Sequence, residues 1–570
     1  MTVRPRELEV VLSGEAFQTA LCDAARAIGA PADFQPQVER PRDASHGSFA
    51  TNAALVLTKR LGRPPRQLAE ELIEALDTEL AGGRVEIAGP GFINLSLADA
   101  WIHWGLSTVL DADLDFGCST APRPERTNVE FVSANPTGPI HVAHGRGTAI
   151  GDVVASLLTW TGHDVTREFY LNDTGRQIEL LGESVDVRYR QARGDDVEIP
   201  PNGYHGDYVR ELAEQIAARH PETLEPMPDG QRIGLFSKEA SEILLEEQKA
   251  DLADFGVHMD LFRHESDLYA DGEVAGTLQR FEDADLTYAD EGAVWLRTTR
   301  FGDEKDRVLV KGDGSFTYFL PDVAYHVDKH RRGFERAIDV WGADHHGHIP
   351  RMQAAMQALG LGPDFLETLI MQLVTVTRGG VEVRMSKRAG EFVTLRELYE
   401  ETGVDVARYF FLMRRAEAAM SFDLDLALDT SENNPVYKVQ YAHARMCSVF
   451  ARGGIDRASI DTRPDDFAGL TSRWEIDVAG HVLRFPFVVR GAAAARAPYM
   501  VCAYLEEMAG AVNAWYHQGN VDAELRVLAE GPSREARLGL ARAVQITLRN
   551  GLNVLGVSAP ERMEREETSE

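Results

Sequence analysis

The stretch Asn135 to Gly147, NPTGPIHVAHGRG, sets His141 and His144 three residues apart, between the apolar-rich run NVEFVS and the helical pattern GTAIGDVVASLLTWTG. Residues three apart share one side of a first helical turn, so the two imidazoles face the same way. Glycines let the backbone approach a ligand closely, and the free N–H groups at a helix N-terminus attract anions. A phosphate or carboxylate suits such a turn. A metal would need a third ligand, and no HExxH pattern occurs. About 240 residues on, VRMSKRAGEFVTL holds Ser386 and Lys387 in a glycine-flanked loop after a strand-like run. Alone, that lysine reads as solvated. A further cluster, GADHHGH, brings His345, His346 and His348 together and invites a metal reading of its own.

These residues need a scaffold. From Asn128 onward, short β-rich runs alternate with helical periodicity: NVEFVS before GTAIGDVVASLLTWTG, DVTREFYL before GRQIELLGESV, RAIDVWGA before IPRMQAAMQALG, then LIMQLVTV. Alternation of this kind predicts a doubly wound, Rossmann-type parallel sheet, in which ligands bind beyond the carboxyl ends of the strands. The histidine turn sits at such an end. The expected organisation is an α+β N-terminal domain over 1–110, with PPRQLAEELIEAL as a helix led by proline and RVEIAGPGFINLSL as two strands around a Gly-Pro-Gly turn. A linker, DADLDFGCSTAPRPERT, leads to the α/β domain over 123–430, which carries a polar, mostly helical insertion near 183–260. Residues 431–570 have helical apolar spacing nearly throughout, which predicts an all-α bundle.

At 570 residues the chain is too long for one core. No apolar run reaches the ~18 residues of a membrane span, and the first residues lack the pattern of a signal peptide. The four cysteines are scattered without a CxxC pair, so neither a disulfide framework nor a cysteine zinc site is expected, and a reducing cytoplasm fits. The net charge of -31 opposes nucleic-acid binding at first sight, yet the 16 basic and 18 acidic residues after Ser431 leave that last quarter almost neutral. Net charge therefore speaks to solubility and does not decide the ligand.

The histidine turn and the MSK loop together match the paired signatures of class I aminoacyl-tRNA synthetases. The segments EFVSANPTGPIHVAHGRG, FYLNDTGRQI, FTYFLPDVAYHVDKH, VWGADHHGHIPRMQ, RMSKRAGEFVTL and NPVYKVQYAHAR resemble, in order, those of the arginyl-tRNA synthetases. The likeness covers nearly the whole chain and is least specific in the insertion. It departs at Ala143, where glycine is usual, and at Arg384, where lysine is usual.

The resemblance implies activation of arginine by ATP, as its Mg2+ complex, and transfer to tRNA by a cytoplasmic monomer with no bound metal and no membrane partner. Attack of a carboxylate on the α-phosphate builds charge there and on the departing pyrophosphate, which fixed donors and cations stabilise. His141, His144 and Lys387 are the implied catalytic residues. ATP would further meet Gly342, Asp344, Met385 and Ser386. Glu130, Asn135, Tyr318, Asp322 and His345 would hold arginine, with Asp173 a further acid nearby. Carboxylates suit this ligand, because a guanidinium is a planar fork of donors best met in bidentate fashion. Tyr437, Tyr441 and Arg445 would read the anticodon loop by stacking. Two rival readings are a nucleotidylyltransferase of the same superfamily, which needs no helical domain of ~140 residues, and a tRNA-binding relative without catalysis, which would tend to lose the histidines or the lysine.

Overall fold

The computed structural model describes residues 5–41, 46–383 and 393–563. Five parallel strands form its central sheet, in the order Leu366–Met371, Arg336–Gly342, Arg126–Glu130, Asp164–Leu171, Leu261–His264. The chain enters at the middle strand, adds two strands to one side and later two to the other. That reversal makes the carboxyl end of Arg126–Glu130 the switch point where a crevice opens. The middle strand is covered by the helix Val142–Trp160. Gly151 permits the close approach, since a Cβ there would lie 2.3 Å from Cγ of Phe131.

The expected doubly wound sheet is present, with two local differences. LIMQLVTV is not one strand. It breaks after Met371, and Val374–Arg378 joins a separate small sheet beside Met420–Asp423. The break has a side-chain cause: Arg146 donates to the carbonyls of Gln372, Ala418 and Arg415, drawing the segment out of the parallel ladder. An antiparallel sheet of Thr287–Asp290, Ala293–Leu296 and Arg307–Val310 has no counterpart in the sequence reading.

The stretch near 183–260 holds the end of the helix Arg176–Ala192, which follows the strand Asp164–Leu171, and the helices Asp207–Arg219 and Asp229–Asp254, around a small core of their own that includes Leu181, Val185, Val209 and Phe236. N-terminal to the sheet, the helices Glu15–Ala27 and Pro65–Ala75 accompany an antiparallel sheet of Phe49–Thr51, Phe92–Leu97 and Gly83–Ala88. The C-terminal part is built on four long helices, Pro435–Gly453, Arg473–Ala495, Tyr499–Val521 and Arg534–Val554. Asn550 of the last helix donates to the carbonyls of Asp113, Leu114 and Phe116, which fastens the linker to the bundle.

Candidate active site

A cavity of about 1310 Å3 lies over the carboxyl ends of Arg126–Glu130 and Arg336–Gly342. His141, His144, Glu130, Asn135, Tyr318, Asp322, Gly342, Asp344 and His345 all line it, so nine of the residues singled out above share one space. Met385, Ser386 and Lys387 lie outside the described residues, as does Arg384. Their flank is described. Val142 N–H donates to the Val393 carbonyl at 3.1 Å and Leu395 N–H to the Ile140 carbonyl at 2.8 Å, pairing the chain after the lysine segment with the histidine turn. Gly145 makes room for this pairing, because a Cβ there would lie 2.6 Å from Leu395 Cδ1.

His141 is the N-cap of Val142–Trp160, and its Nδ1 accepts from the His144 backbone N–H at 3.3 Å. The His141 ring proton therefore sits on Nε2. The two imidazoles stack with centroids 3.7 Å apart. Burial, and then the neighbouring His141, push the His144 pKa down to about 3, so this ring is neutral at physiological pH. It serves as a hydrogen-bonding group. Among the described residues its Nδ1 has no partner although buried. Ala143 lines the same wall.

The strand leaves Glu130 through two non-glycine residues in left-handed conformation, Val132 at φ 67° and Ser133 at φ 39°. A β-branched residue there is strained by about 1–3 kcal/mol, and such strain clusters at functional sites. The turn aims Ser133 Oγ back at Glu130, to which it donates at 2.9 Å, while it accepts from the Tyr170 backbone N–H at 3.1 Å. The other Glu130 oxygen accepts from Lys329 Nζ at 2.6 Å. Burial, opposed by Lys329 and reinforced by Asp339, raises the Glu130 pKa above its ordinary value. Asp322 opens the helix Phe319–Arg331, with its carboxylate 3.1 Å from His348 Nε2. Tyr318 is 72% exposed at the mouth, and His345 and Asp344 are exposed beside it, 3.5 Å apart.

Two loop anchors come from the insertion. Gln248 donates to the carbonyls of Asn135 and Gly138, and Tyr208 hydroxyl donates to the carbonyl of Thr137 at 2.9 Å. They clamp the histidine turn from above. Neither was legible in the sequence, because nothing local marks a glutamine as a partner for a carbonyl 110 residues away. In sequence His348 stands out only as part of its histidine cluster. Lys329 carried a signal, seven residues after Asp322 on one helix. Asp173 is not in the cavity lining. Its carboxylate caps the helix Glu265–Ala270 through Ser266 and meets His264 at 2.9 Å. The additional acids in the wall are instead Asp339 and Glu265, the latter accepting from the hydroxyls of Tyr170 and Thr174.

Glu130, His326 and Asp339 converge closely enough to hold a metal, but Lys329 Nζ lies 2.6 Å from Glu130 and 2.8 Å from Asp339, so an ammonium already fills that role. Tyr437, Tyr441 and Arg445 do not line the cavity. They lie on the bundle helix Pro435–Gly453, where Tyr437 and Tyr441 stack at 5.7 Å and the Arg445 guanidinium sits 4.6 Å from both Tyr441 and Tyr516 rings. Tyr437 is packed in the core, while Tyr441 and Arg445 are half-buried.

The cavity has a histidine turn at one end and carboxylates at the other. Residues 107–421 match the family described as tRNA synthetases class I (R), catalytic domain. Residues 15–97 match the arginyl tRNA synthetase N terminal domain, and residues 439–563 the DALR anticodon binding domain. An arginine–tRNA ligase of Geobacillus kaustophilus is 44% identical over 543 residues, which cover 95% of this chain and 97% of that protein. The chain belongs to the arginyl-tRNA synthetases. A second relative in the family, arginine–tRNA ligase 1 of Halalkalibacterium halodurans, is 43% identical with 95% and 97% covered. The fold is also that of the Thermus thermophilus arginyl-tRNA synthetase, with a TM-score of 0.74 at 23% identity over 96% of this chain and all of the other. Among the described residues no helix is long and apolar enough to cross a membrane.

Proposed function

We propose that the chain joins arginine to the 3′ end of its tRNA in two steps within this cavity. In the first, an arginine carboxylate oxygen attacks the α-phosphorus of ATP, the bond to the β-phosphate oxygen breaks, and pyrophosphate leaves. In the second, a ribose hydroxyl of the terminal tRNA nucleotide attacks the arginyl carbonyl, and AMP leaves. The observation that carries the reading is the shared cavity: neutral stacked imidazoles at a helix N-terminus face two carboxylates, Glu130 and Asp322, across a space large enough for both substrates.

Glu130 and Asp322 hold the guanidinium, Tyr318 and His345 close the mouth over it, and Asn135 holds the amino-acid end. His141 and His144 donate to the phosphates where charge develops, and Gly342 and Asp344 receive the ribose. ATP enters as its magnesium complex, as substrate. Lys387, with Met385 and Ser386, meets the phosphates from the opposite side. Tyr441 and Arg445, beside Tyr437, contact the tRNA, and the chain works as a cytoplasmic monomer. A citrulline in the same place would leave buried acceptors unpaired, so rejection by orders of magnitude is expected.

The test is amino-acid-dependent AMP formation in the presence of tRNA. Wild type should use arginine and reject citrulline and lysine, and Glu130→Gln should raise the arginine requirement far more than the ATP requirement. Equal use of citrulline, or an unchanged arginine requirement in the variant, would show that the pocket is misplaced.

A further inference from the structure

Beneath the acidic wall of the cavity lies a buried group that the reaction above does not use. His326 is 3% exposed, one helical turn after Asp322. Its Nδ1 lies 2.7 Å from the Asp322 backbone carbonyl and its Nε2 lies 2.7 Å from Asp339 Oδ2. A carbonyl oxygen can only accept. Asp339 also only accepts, because it is ionised: burial opposes this, but Lys329 and His326 pull its pKa well below the carboxylate range. Two acceptors at hydrogen-bond distance require protons on both ring nitrogens. A neutral imidazole would set a bare lone pair against an oxygen lone pair in a closed, desolvated space, which is unfavourable.

We propose that His326 is a standing imidazolium, a positioning residue that, together with Lys329, keeps Glu130 ionised and holds the helical turn that aims Asp322. The inference rests on the reading of Glu130 and Asp322 as the guanidinium site. Three links run from His326 and its partners into that site. His326 holds the carbonyl of Asp322 itself. Lys329 bridges Asp339 at 2.8 Å to Glu130 at 2.6 Å, with its ammonium 4.5 Å from the Tyr325 ring. Asp339 accepts from both cations and so ties the Glu130 carboxylate and the Asp322 backbone into one network.

The charges match the ligand. Glu130, Asp322 and Asp339 set three negative charges against the two positive charges of Lys329 and His326, and a guanidinium supplies the missing one. The other groups near the ring leave this balance in place: Glu168, which also acts on Lys329, is matched by Arg332 at 2.7 Å. His348, just before the helix Ile349–Ala358, meets the Asp322 carboxylate, and Glu265 is turned to Tyr170 and Thr174. The electrostatic direction agrees with the geometry: burial lowers the His326 pKa, Asp339 outweighs it, and the net shift is upward despite Lys329.

His326→Gln keeps one donor and removes the charge. Its arginine KM should rise by tenfold or more while its ATP KM stays within twofold. That rise should steepen relative to wild type as pH falls from 8 to 6, because Glu130, already raised by burial, loses an opposing cation and takes up a proton. A purely structural role would move both KM values together with parallel pH profiles, and that result would overturn the proposal. Neutron diffraction of the intact wild-type chain at pH 7.5 gives a reading that needs no variant to fold. Deuterium on both His326 nitrogens is expected, and a single occupied nitrogen refutes the imidazolium. Glu130→Gln separates the two failures: if its arginine requirement is unchanged the pocket reading fails, and if it rises while His326→Gln behaves as wild type only the positioning role fails.

Discussion

His144 shows how burial chooses a chemical role at the scale of one residue. A charged imidazole would attract phosphate, but a ring with a pKa of about 3 contributes directed hydrogen bonds instead. Removing such a preorganised donor costs on the order of 10²–10³ in turnover, so His144→Ala should lower the rate of arginine activation by that factor with little change in arginine KM. Stopped-flow or pyrophosphate-exchange rates check it, and normal turnover would reduce the residue to part of a polar turn. The lowered pKa also has a consequence for stability. Below the unfolded pKa of about 6.5 the unfolded chain binds a proton that the folded ring refuses, so this site costs stability increasingly as pH falls towards 3. In His144→Gln, urea unfolding midpoints should therefore decline less between pH 7 and 5 than in wild type. An identical or steeper decline would mean that the ring is already charged in the folded state.

Among the elements, the insertion behaves as a clamp on the catalytic turn. The helix Asp207–Arg219 sends Tyr208 and the helix Asp229–Asp254 sends Gln248 onto three carbonyls of the loop between Asn135 and Gly138. Tyr208→Phe keeps the packing of a 7% exposed ring and leaves the buried Thr137 carbonyl unpaired, which should cost about 1–3 kcal/mol. Because the same loop bears Asn135 and leads into His141, the arginine and ATP requirements should rise together, in contrast to the selective rise expected for Glu130→Gln. Denaturation and steady-state kinetics on one preparation measure both, and a selective change in one substrate would show that the clamp does not act on the loop as a whole. Arg146 plays a similar part at the other end. Its three carbonyl acceptors join the histidine helix to the strand break after Met371, so Arg146→Ala should destabilise by about 3 kcal/mol or more. A loss below about 1 kcal/mol, read from urea denaturation, would mean that the break is held by other contacts.

At the scale of the whole molecule, Arg408 is the joint. It is fully buried and donates to Asp152 at 2.5 Å, to the Phe255 carbonyl at 3.1 Å, and to the Leu555 carbonyl at 3.2–3.3 Å. Those partners belong to the histidine helix, the end of the insertion and the last turn of the bundle. A buried charge with one partner removed costs about 3–5 kcal/mol, and Asp152 retains Arg167 at 2.8 Å, so Arg408→Met should fall near the lower figure. Hydrogen exchange should show faster opening around Leu555 before the central sheet opens. Uniform loss of protection would indicate that the bundle and sheet unfold as one unit regardless of this joint.

The amino-acid order alone determined whatever depends on backbone chemistry and short-range spacing. The proline-led helix at Pro65–Ala75, the hairpin around Gly89–Gly91, the alternation that yields a parallel sheet, the histidine turn at a strand end and the helical last quarter all follow from local periodicity and turn residues. Where LIMQLVTV was divided, the deciding contact came from Arg146, 226 residues from Gln372 in the chain. The state of the candidate site was likewise a tertiary decision. Glu130 is recognisable in sequence as an acid among apolar neighbours, but its ammonium partner lies 199 residues away and meets it only when two parallel strands and a helix come together. Asp173, equally acidic and close in sequence to the site, was turned aside to cap a helix. Which carboxylates stay available to a ligand is set by desolvation and by the donors that burial brings within reach, and a one-dimensional pattern does not record either.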